Sequence, residues 1–129
     1  GPDALDVSRE EFALRIGRSK ATVKACLMNQ SCLAGIGNLY SDEILFQSGL
    51  DPHHPGHRLT AEQLALLYRN TRKVLLLAIR RKADPWAMPP SYLLPHREPN
   101  GRCPACKTEL RRRTVAGRTT YWCPTCQRM

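Results

Sequence analysis

The chain has 129 residues, and its 20 lysines and arginines outnumber 11 aspartates and glutamates, which leaves a formal net charge of +9. This length allows one modest hydrophobic core with a small second unit, and the positive charge favours a polyanionic partner, with nucleic acid the leading candidate. No apolar run approaches the roughly 20 residues that span a bilayer, and no signal-peptide pattern opens the chain, which excludes a membrane-spanning protein. We therefore expect a soluble monomer without a membrane partner, located inside the cell in the cytoplasm or nucleoid.

Capping residues predict four helices in the first two thirds of the chain. Ser8 starts the first with a capping-box spacing, and Ser19 is expected to cap the second. Asn38 is expected to cap the third, which Gly49 ends in a left-handed conformation. Thr60 starts the fourth with another capping box, and the amphipathic stripe that follows it predicts the best-defined helix of the chain.

A proline-rich segment follows the fourth helix, and its composition rules out a regular helix and predicts an extended connector. We therefore expect a helical domain over residues 3–83, a connector over 84–100 and a small C-terminal unit over 101–129. The predicted fold class is mainly α, with a β-hairpin in the last unit. The five prolines of the segment are Pro85, Pro89, Pro90, Pro95 and Pro99.

Four cysteines form two C-x2-C pairs near the C-terminus. Cys103 and Cys106 make the first pair, Cys123 and Cys126 make the second, and 16 residues separate them. This spacing predicts one structural zinc ion held by four thiolates, with two disulfides or four unrelated thiols as the less favoured alternative. A closed set of four ligands leaves no position for substrate, so the metal is expected to organise the intervening β-hairpin without catalysing a reaction.

A glycine-containing turn lies ahead of the third helix, in the stretch "LAGIGNLYSDE". Gly35 and Gly37 permit close approach of a ligand to the backbone, and amides at a helix N-terminus suit a phosphate. Asn38 adds a side-chain donor. The turn therefore predicts a phosphate contact, although a G-x-G stretch is as often a tight connection between helices.

Basic side chains supply further candidate phosphate contacts. Arg118 follows the glycine at the predicted hairpin tip, where a guanidinium grips phosphate in a fork geometry. The three consecutive arginines from Arg111 to Arg113 either contribute to the same surface or keep an exposed strand soluble. Lys20 and Lys24 share one face of the second helix, and either contact a phosphate backbone or form a solvated face.

Acidic and histidine residues near the third helix have simpler interpretations. Asp42 and Glu43 are expected in the first turn of that helix, where the helix dipole stabilises a carboxylate. His53, His54 and His57 suggest a second metal site, but no carboxylate or cysteine completes a ligand set, so a solvated loop is the favoured interpretation.

The stretch "LMNQSCLAGIGNLYSDEILFQSGLDP" resembles the helix-two-turn-helix segment of the formamidopyrimidine-DNA glycosylase and endonuclease VIII family, and the C-terminal stretch ending in "YWCPTCQ" resembles the zinc finger of that family. The resemblance implies a bifunctional DNA glycosylase and abasic-site lyase, which removes oxidised bases from damaged or abasic duplex DNA in base excision repair. It also implies that Asn38 and Arg118 hold DNA phosphates near the lesion.

The chain departs from that family at its N-terminus. Members attack the sugar with the amine of an N-terminal proline that is followed by glutamate, whereas here Pro2 follows Gly1 and precedes Asp3. Gly1 and Pro2 resemble a scar of tag removal, so we expect an inactive C-terminal fragment without the β-rich catalytic half. The alternatives are a non-catalytic RNA-binding module and a zinc module that docks onto protein.

Overall fold

A computed structural model describes residues 1–129 and confirms the predicted fold class, with four α-helices followed by one antiparallel β-hairpin. None of the helices is both long and apolar enough to span a bilayer. The helices pack around one hydrophobic core, and the hairpin packs against the third helix. The elements are α1 (Arg9–Gly17), α2 (Val23–Met28), α3 (Asn38–Ser48), α4 (Ala61–Arg80), β1 (Arg111–Val115) and β2 (Arg118–Trp122).

Three of the predicted helix ends are confirmed. The Ser8 hydroxyl accepts a hydrogen bond from the Glu11 amide at 3.1 Å and starts α1. Thr60 and Gln63 form a complete capping box at the start of α4, with reciprocal bonds of 3.1 and 2.8 Å. Gly49 ends α3 with φ of 67°, a left-handed conformation that glycine adopts without strain.

The predicted start of α2 is wrong by three residues. The N-cap is Thr22, whose hydroxyl accepts a hydrogen bond from the Ala25 amide at 3.2 Å. Ser19 instead accepts from the Ala21 amide at 3.2 Å and forms a turn ahead of the helix. Both side chains are competent caps, and the turn at Ser19 places Thr22 at the position where the helix begins.

Two hydrophobic clusters of very different size divide the buried side chains. The larger has 19 buried residues and lies between the four helices. Phe12 of α1 is completely buried there and meets Tyr68 of α4 edge to face, with ring centroids 5.4 Å apart. The smaller cluster has only five buried residues, two of which are cysteines. The C-terminal unit over residues 101–129, called the finger below, therefore has too little apolar burial to fold without another source of free energy.

The proline-rich segment is folded rather than extended, which corrects the expected extended connector. It contains two short 3-10 turns, Pro85–Ala87 and Leu94–His96. Leu93 and Leu94 are buried, and both of their amides donate to the carboxylate of Glu43 in α3, at 3.0 and 2.9 Å. Proline is tolerated at the start of such turns because no amide is required there, so the segment folds back onto α3.

Burial raises the pKa of the Glu43 carboxyl above its ordinary value of 4.5, against the opposing effects of Gln47, the two connector amides and Lys73. Between pH 4.5 and the raised value the folded state binds more protons than the unfolded state, so the stability that Glu43 contributes falls as pH rises through that window. We expect the unfolding free energy of the wild type minus that of Glu43→Gln to fall over the window and then level off. Urea titrations of both proteins across this pH range measure the difference, and a difference that rises with pH would contradict the expectation.

Candidate functional site

The four C-terminal cysteines converge on one point. All four sulfur atoms lie within 4.8 Å of one another. The Sγ atoms of Cys103 and Cys126 are 3.8 Å apart, and those of Cys106 and Cys123 are 3.5 Å apart. A tetrahedral site with metal–sulfur bonds of about 2.3 Å has edges of about 3.8 Å. The geometry therefore fits a single structural metal ion.

The four thiols have different environments. Hydrogen bonding to Thr108 lowers the pKa of Cys106 to about 6, whereas burial, reinforced by the other three thiols, raises the pKa of Cys126 to about 12. Amides support the sulfurs as well, since Ala105 donates to Cys103 at 3.4 Å. A metal ion favours the thiolate form of all four and offsets their mutual repulsion.

The glycine turn leads directly into α3, and the predicted cap at Asn38 is wrong. Gly37 is the N-cap, no atom lies within 4 Å of the position where a Cβ would be built on it, and Asn38 is the first helical residue. The Asn38 Nδ2 donates instead to the backbone oxygen of Thr119 in β2, at 3.0 Å and 81 residues away in the chain. An amide nitrogen carries two N–H donors, so one remains for an anion at the open helix end.

The tip of the hairpin presents Arg118 as the first residue of β2. Ala116 and Gly117 form the reversal with φ of 54° and 76°, as a two-residue hairpin turn requires. Arg118 is exposed and makes no ion pair. Burial lowers the pKa of the Lys24 ammonium in α2, and the Arg118 charge acts in the same direction.

A polar cavity of about 210 Å³ opens on the hairpin, lined by two arginines and two threonines. Arg112 and Arg113 supply its guanidinium groups, and Thr114 and Thr119 supply hydroxyls from paired positions of the two strands. The same Thr119 receives the hydrogen bond from Asn38. This composition suits an anion, and the two threonines are site candidates that sequence reasoning missed.

Lys24 is completely buried, which overturns both interpretations of it as a surface residue. Its Nζ lies 2.5 Å from the Asp42 carboxylate, whose side chain is also fully buried. Burial lowers the pKa of Lys24, and the Asp42 charge opposes that shift. Lys20, which the helical pattern placed on the same face, is exposed. Of these two lysines, only Lys20 therefore remains available for a direct contact with a polyanion.

The expectation that Asp42 and Glu43 lie in the first turn of α3 is also wrong. The helix starts at Asn38, so both residues lie in its second turn and are buried. Asp42 accepts from Arg97 Nε at 2.9 Å and from the Tyr121 amide at 3.0 Å. Arg97 carried no signal in the sequence, because it stands in an irregular segment without periodicity.

The histidine loop is only partly solvated. His54 is buried at 7% exposure, while His57 is exposed. His53 lies 2.8 Å from the Asp51 carboxylate and meets the ring of Trp122 edge to face, with centroids 5.2 Å apart. The loop therefore supports the finger by packing against β2.

Comparison with known proteins identifies the family to which the helical region belongs. Residues 1–88 match the domain family described as Formamidopyrimidine-DNA glycosylase H2TH domain. The chain belongs to the formamidopyrimidine-DNA glycosylase family. The resemblance predicted from the glycine turn and the cysteine pairs is thereby confirmed. Membership explains why a helix-two-turn-helix region and a four-cysteine finger occur in this order.

Individual relatives within the formamidopyrimidine-DNA glycosylase family differ in how much of their length the chain covers. A formamidopyrimidine-DNA glycosylase of Thermus thermophilus is 39% identical over 98% of the chain, which spans 53% of that relative. A solved complex between the Lactococcus lactis Fpg and DNA containing an abasic site has a TM-score of 0.85 and 26% identity, and the chain covers 52% of it. An uncharacterized formamidopyrimidine-DNA glycosylase-like protein of Mycobacterium tuberculosis is 35% identical, and there the chain covers 84%. The chain thus spans about half the length of the first two and most of the third.

Proposed function

We propose that this chain is the DNA-binding C-terminal part of a bifunctional DNA glycosylase and abasic-site lyase, which acts inside the cell on oxidised bases in base excision repair. The names of the relatives support the activity of the parent, and the Lactococcus complex with abasic DNA supports the partner. The 129 residues alone are proposed to bind without turnover, because they span only about half the length of the glycosylases that they match.

The observation that carries this proposal is the hydrogen bond between Asn38 and Thr119, which joins the glycine turn to the hairpin. Arg118 precedes Thr119 in the same strand, so a free guanidinium and an open helix end belong to one basic surface. Phosphates of one DNA backbone are the ligand that this combination suits. The proposed DNA contacts are Gly35, Gly37, Asn38, Arg118 and Lys20.

Zinc is the metal that we propose for the cysteine cluster, because four soft thiolates at tetrahedral spacing favour it over harder cations. One structural ion per chain is expected, with no open coordination position. We also propose that the chain divides into a helical domain over 3–83, a connector over 84–100 and a metal-held finger over 101–129.

A non-catalytic DNA-binding role is the second candidate, and one observation favours it. The mycobacterial relative extends little beyond the region that this chain matches, since the chain covers 84% of it. A protein of that size has little length for a separate catalytic half. Glycosylase and strand-cleavage assays on the complete natural protein distinguish this role from the first, because only a catalytic parent releases the damaged base.

Binding to nucleic acid is tested first by its salt dependence. Affinity for a fluorescent duplex that carries an abasic-site analogue is expected to fall steeply between about 50 and about 200 mM salt, because each phosphate contact releases counterions. Unlabelled abasic duplex should compete better than undamaged duplex or a structured RNA. A flat salt response would refute nucleic-acid binding, and better competition by RNA would favour an RNA-binding module instead.

Arg118→Ala is expected to weaken binding to the abasic duplex about tenfold or more, because a hydrogen bond to a charged group contributes about 1.5–3 kcal/mol. The magnitude of the salt slope should fall by about 1 with the lost phosphate contact. Fluorescence anisotropy measures both quantities. Arg9→Ala is the matched control, since it removes one positive charge from the start of α1, beside the first turn of α4. Equal losses of DNA affinity in the two variants would mean that Arg118 makes no specific phosphate contact.

A further inference from the structure

The contact between the hairpin and the helices is organised around one buried carboxylate. Asp42 of α3 has a side chain with no solvent exposure, and it accepts three hydrogen bonds. The donors are Lys24 Nζ from α2 at 2.5 Å, Arg97 Nε from the connector at 2.9 Å and the Tyr121 amide of β2 at 3.0 Å. One side chain therefore ties three separate segments together.

These bonds occupy the free edge of the hairpin. The sheet has two strands, so one edge of β2 pairs with β1 and the other has no strand partner. The Thr119 oxygen accepts there from Asn38 Nδ2 and from an Arg97 nitrogen at 2.8 Å, and the Tyr121 amide donates to Asp42. Residues two apart in a strand direct their polar groups to the same edge. Side chains thus replace a third strand and determine where the hairpin lies.

We propose that Asp42 is a positioning residue that holds Arg118, at the start of β2, beside Asn38, at the start of α3, so that both side chains contact the same DNA backbone. The metal holds the finger folded, but all four of its ligands lie within the finger, so it fixes no orientation relative to α3. Backbone bonds join Arg128 to Gly49 and Asp51, which fastens the C-terminal end of the finger beyond α3. At β2 itself, Asp42 is the one helical side chain that accepts a hydrogen bond from the strand backbone, and it also holds Arg97, which bonds to the Thr119 oxygen. The role of Asp42 in DNA binding rests on the proposed function, whereas its role in orientation does not.

A buried ion pair is a poor source of stability, since well-packed apolar residues often replace one without loss. Asp42 faces two cations, Lys24 and Arg97, so the cluster retains a net positive charge beneath the hairpin. Such a cluster instead fixes the orientation of the segments that it joins, because a carboxylate accepts several hydrogen bonds in defined directions and an apolar contact does not.

Asp42→Asn and the double variant Lys24→Met with Asp42→Leu test the proposal. The double variant replaces the completely buried Lys24–Asp42 pair by apolar side chains and leaves only the Arg97 charge, which is partly exposed, so we expect it to stay folded even if the single variant does not. In both we expect full metal content and helical circular dichroism, faster hydrogen exchange at the Tyr121 amide, and a changed orientation of hairpin relative to helices in residual dipolar couplings. Glu11→Gln, which alters a carboxylate paired with Arg15 on α1, is the control and should change none of these.

DNA affinity provides the second measurement. Affinity for the abasic duplex should fall about tenfold or more in the double variant, and adding Arg118→Ala in that background should cost no further affinity, because the guanidinium is already misplaced. An unchanged orientation in the dipolar couplings overturns the proposal whether or not DNA binds. A full additional loss from Arg118→Ala also overturns it. Failure of the wild type to bind DNA refutes the proposed function and leaves the orientation test intact.

Discussion

Removal of the metal is expected to unfold the finger over residues 101–129 while the four helices stay folded. The finger contributes four residues to a buried cluster of five, in which the fifth is Leu93 of the connector, whereas the larger cluster between the helices has 19. Metal binding to a structural tetrathiolate site contributes about 10–16 kcal/mol in comparable small fingers, far more than this apolar burial supplies. Treatment with a strong chelator should therefore abolish the tertiary environment of the buried Trp122 and retain most of the far-ultraviolet helical signal.

Loss of the metal should also abolish specific binding to the abasic duplex, because Arg118 depends on a folded hairpin. Cys103→Ser should reproduce the effect of the chelator, since one missing thiolate opens the coordination shell. Cys32→Ser is the matched control, because Cys32 is a half-buried thiol that packs against the helical core and lies outside the cluster. Retention of a folded hairpin in metal-free protein would show that the finger is held by other contacts.

Lys24→Ala is expected to destabilise the whole helical unit by about 2–5 kcal/mol, because it deletes a completely buried long side chain, leaves a cavity and removes the hydrogen bond to Asp42. That loss is a large part of the roughly 5–15 kcal/mol that stabilises a typical domain. Arg97 and the Tyr121 amide still bond to the Asp42 carboxylate, so the loss comes from the cavity and the missing bond rather than from an unpaired charge. Urea unfolding followed by circular dichroism measures the change.

Lys20→Ala is the matched control for this prediction. Lys20 is exposed, so its removal should alter the unfolding free energy by no more than about 0.5 kcal/mol. Any loss of DNA affinity in Lys20→Ala would then report a direct phosphate contact. Similar unfolding curves for the two variants would mean that Lys24 is solvated, contrary to its position between α2 and α3.

Much of the fold follows from interactions between residues close together in the chain. The capping bonds of Ser8 and Thr60 each involve residues three positions apart, and each C-x2-C pair lies within one turn. Such patterns can be recognised in the sequence because local backbone geometry alone brings the groups together. Ser19 shows the limit, since its hydroxyl bonds within a preceding turn and leaves the cap to Thr22.

Locating the candidate site required both the sequence and the tertiary structure. Composition, capping patterns and cysteine spacing were enough to predict a basic, mainly helical protein with a metal-held hairpin, because these features act locally or through total charge. Tertiary packing alone decided that Lys24 is buried, that Asn38 bonds to a strand and that Asp42 joins three segments. Asp42 and Tyr121 are 79 residues apart, and no local pattern encodes which distant backbone group a side chain will meet. Burial and long-range hydrogen bonding emerge only when the helices and the finger pack against each other.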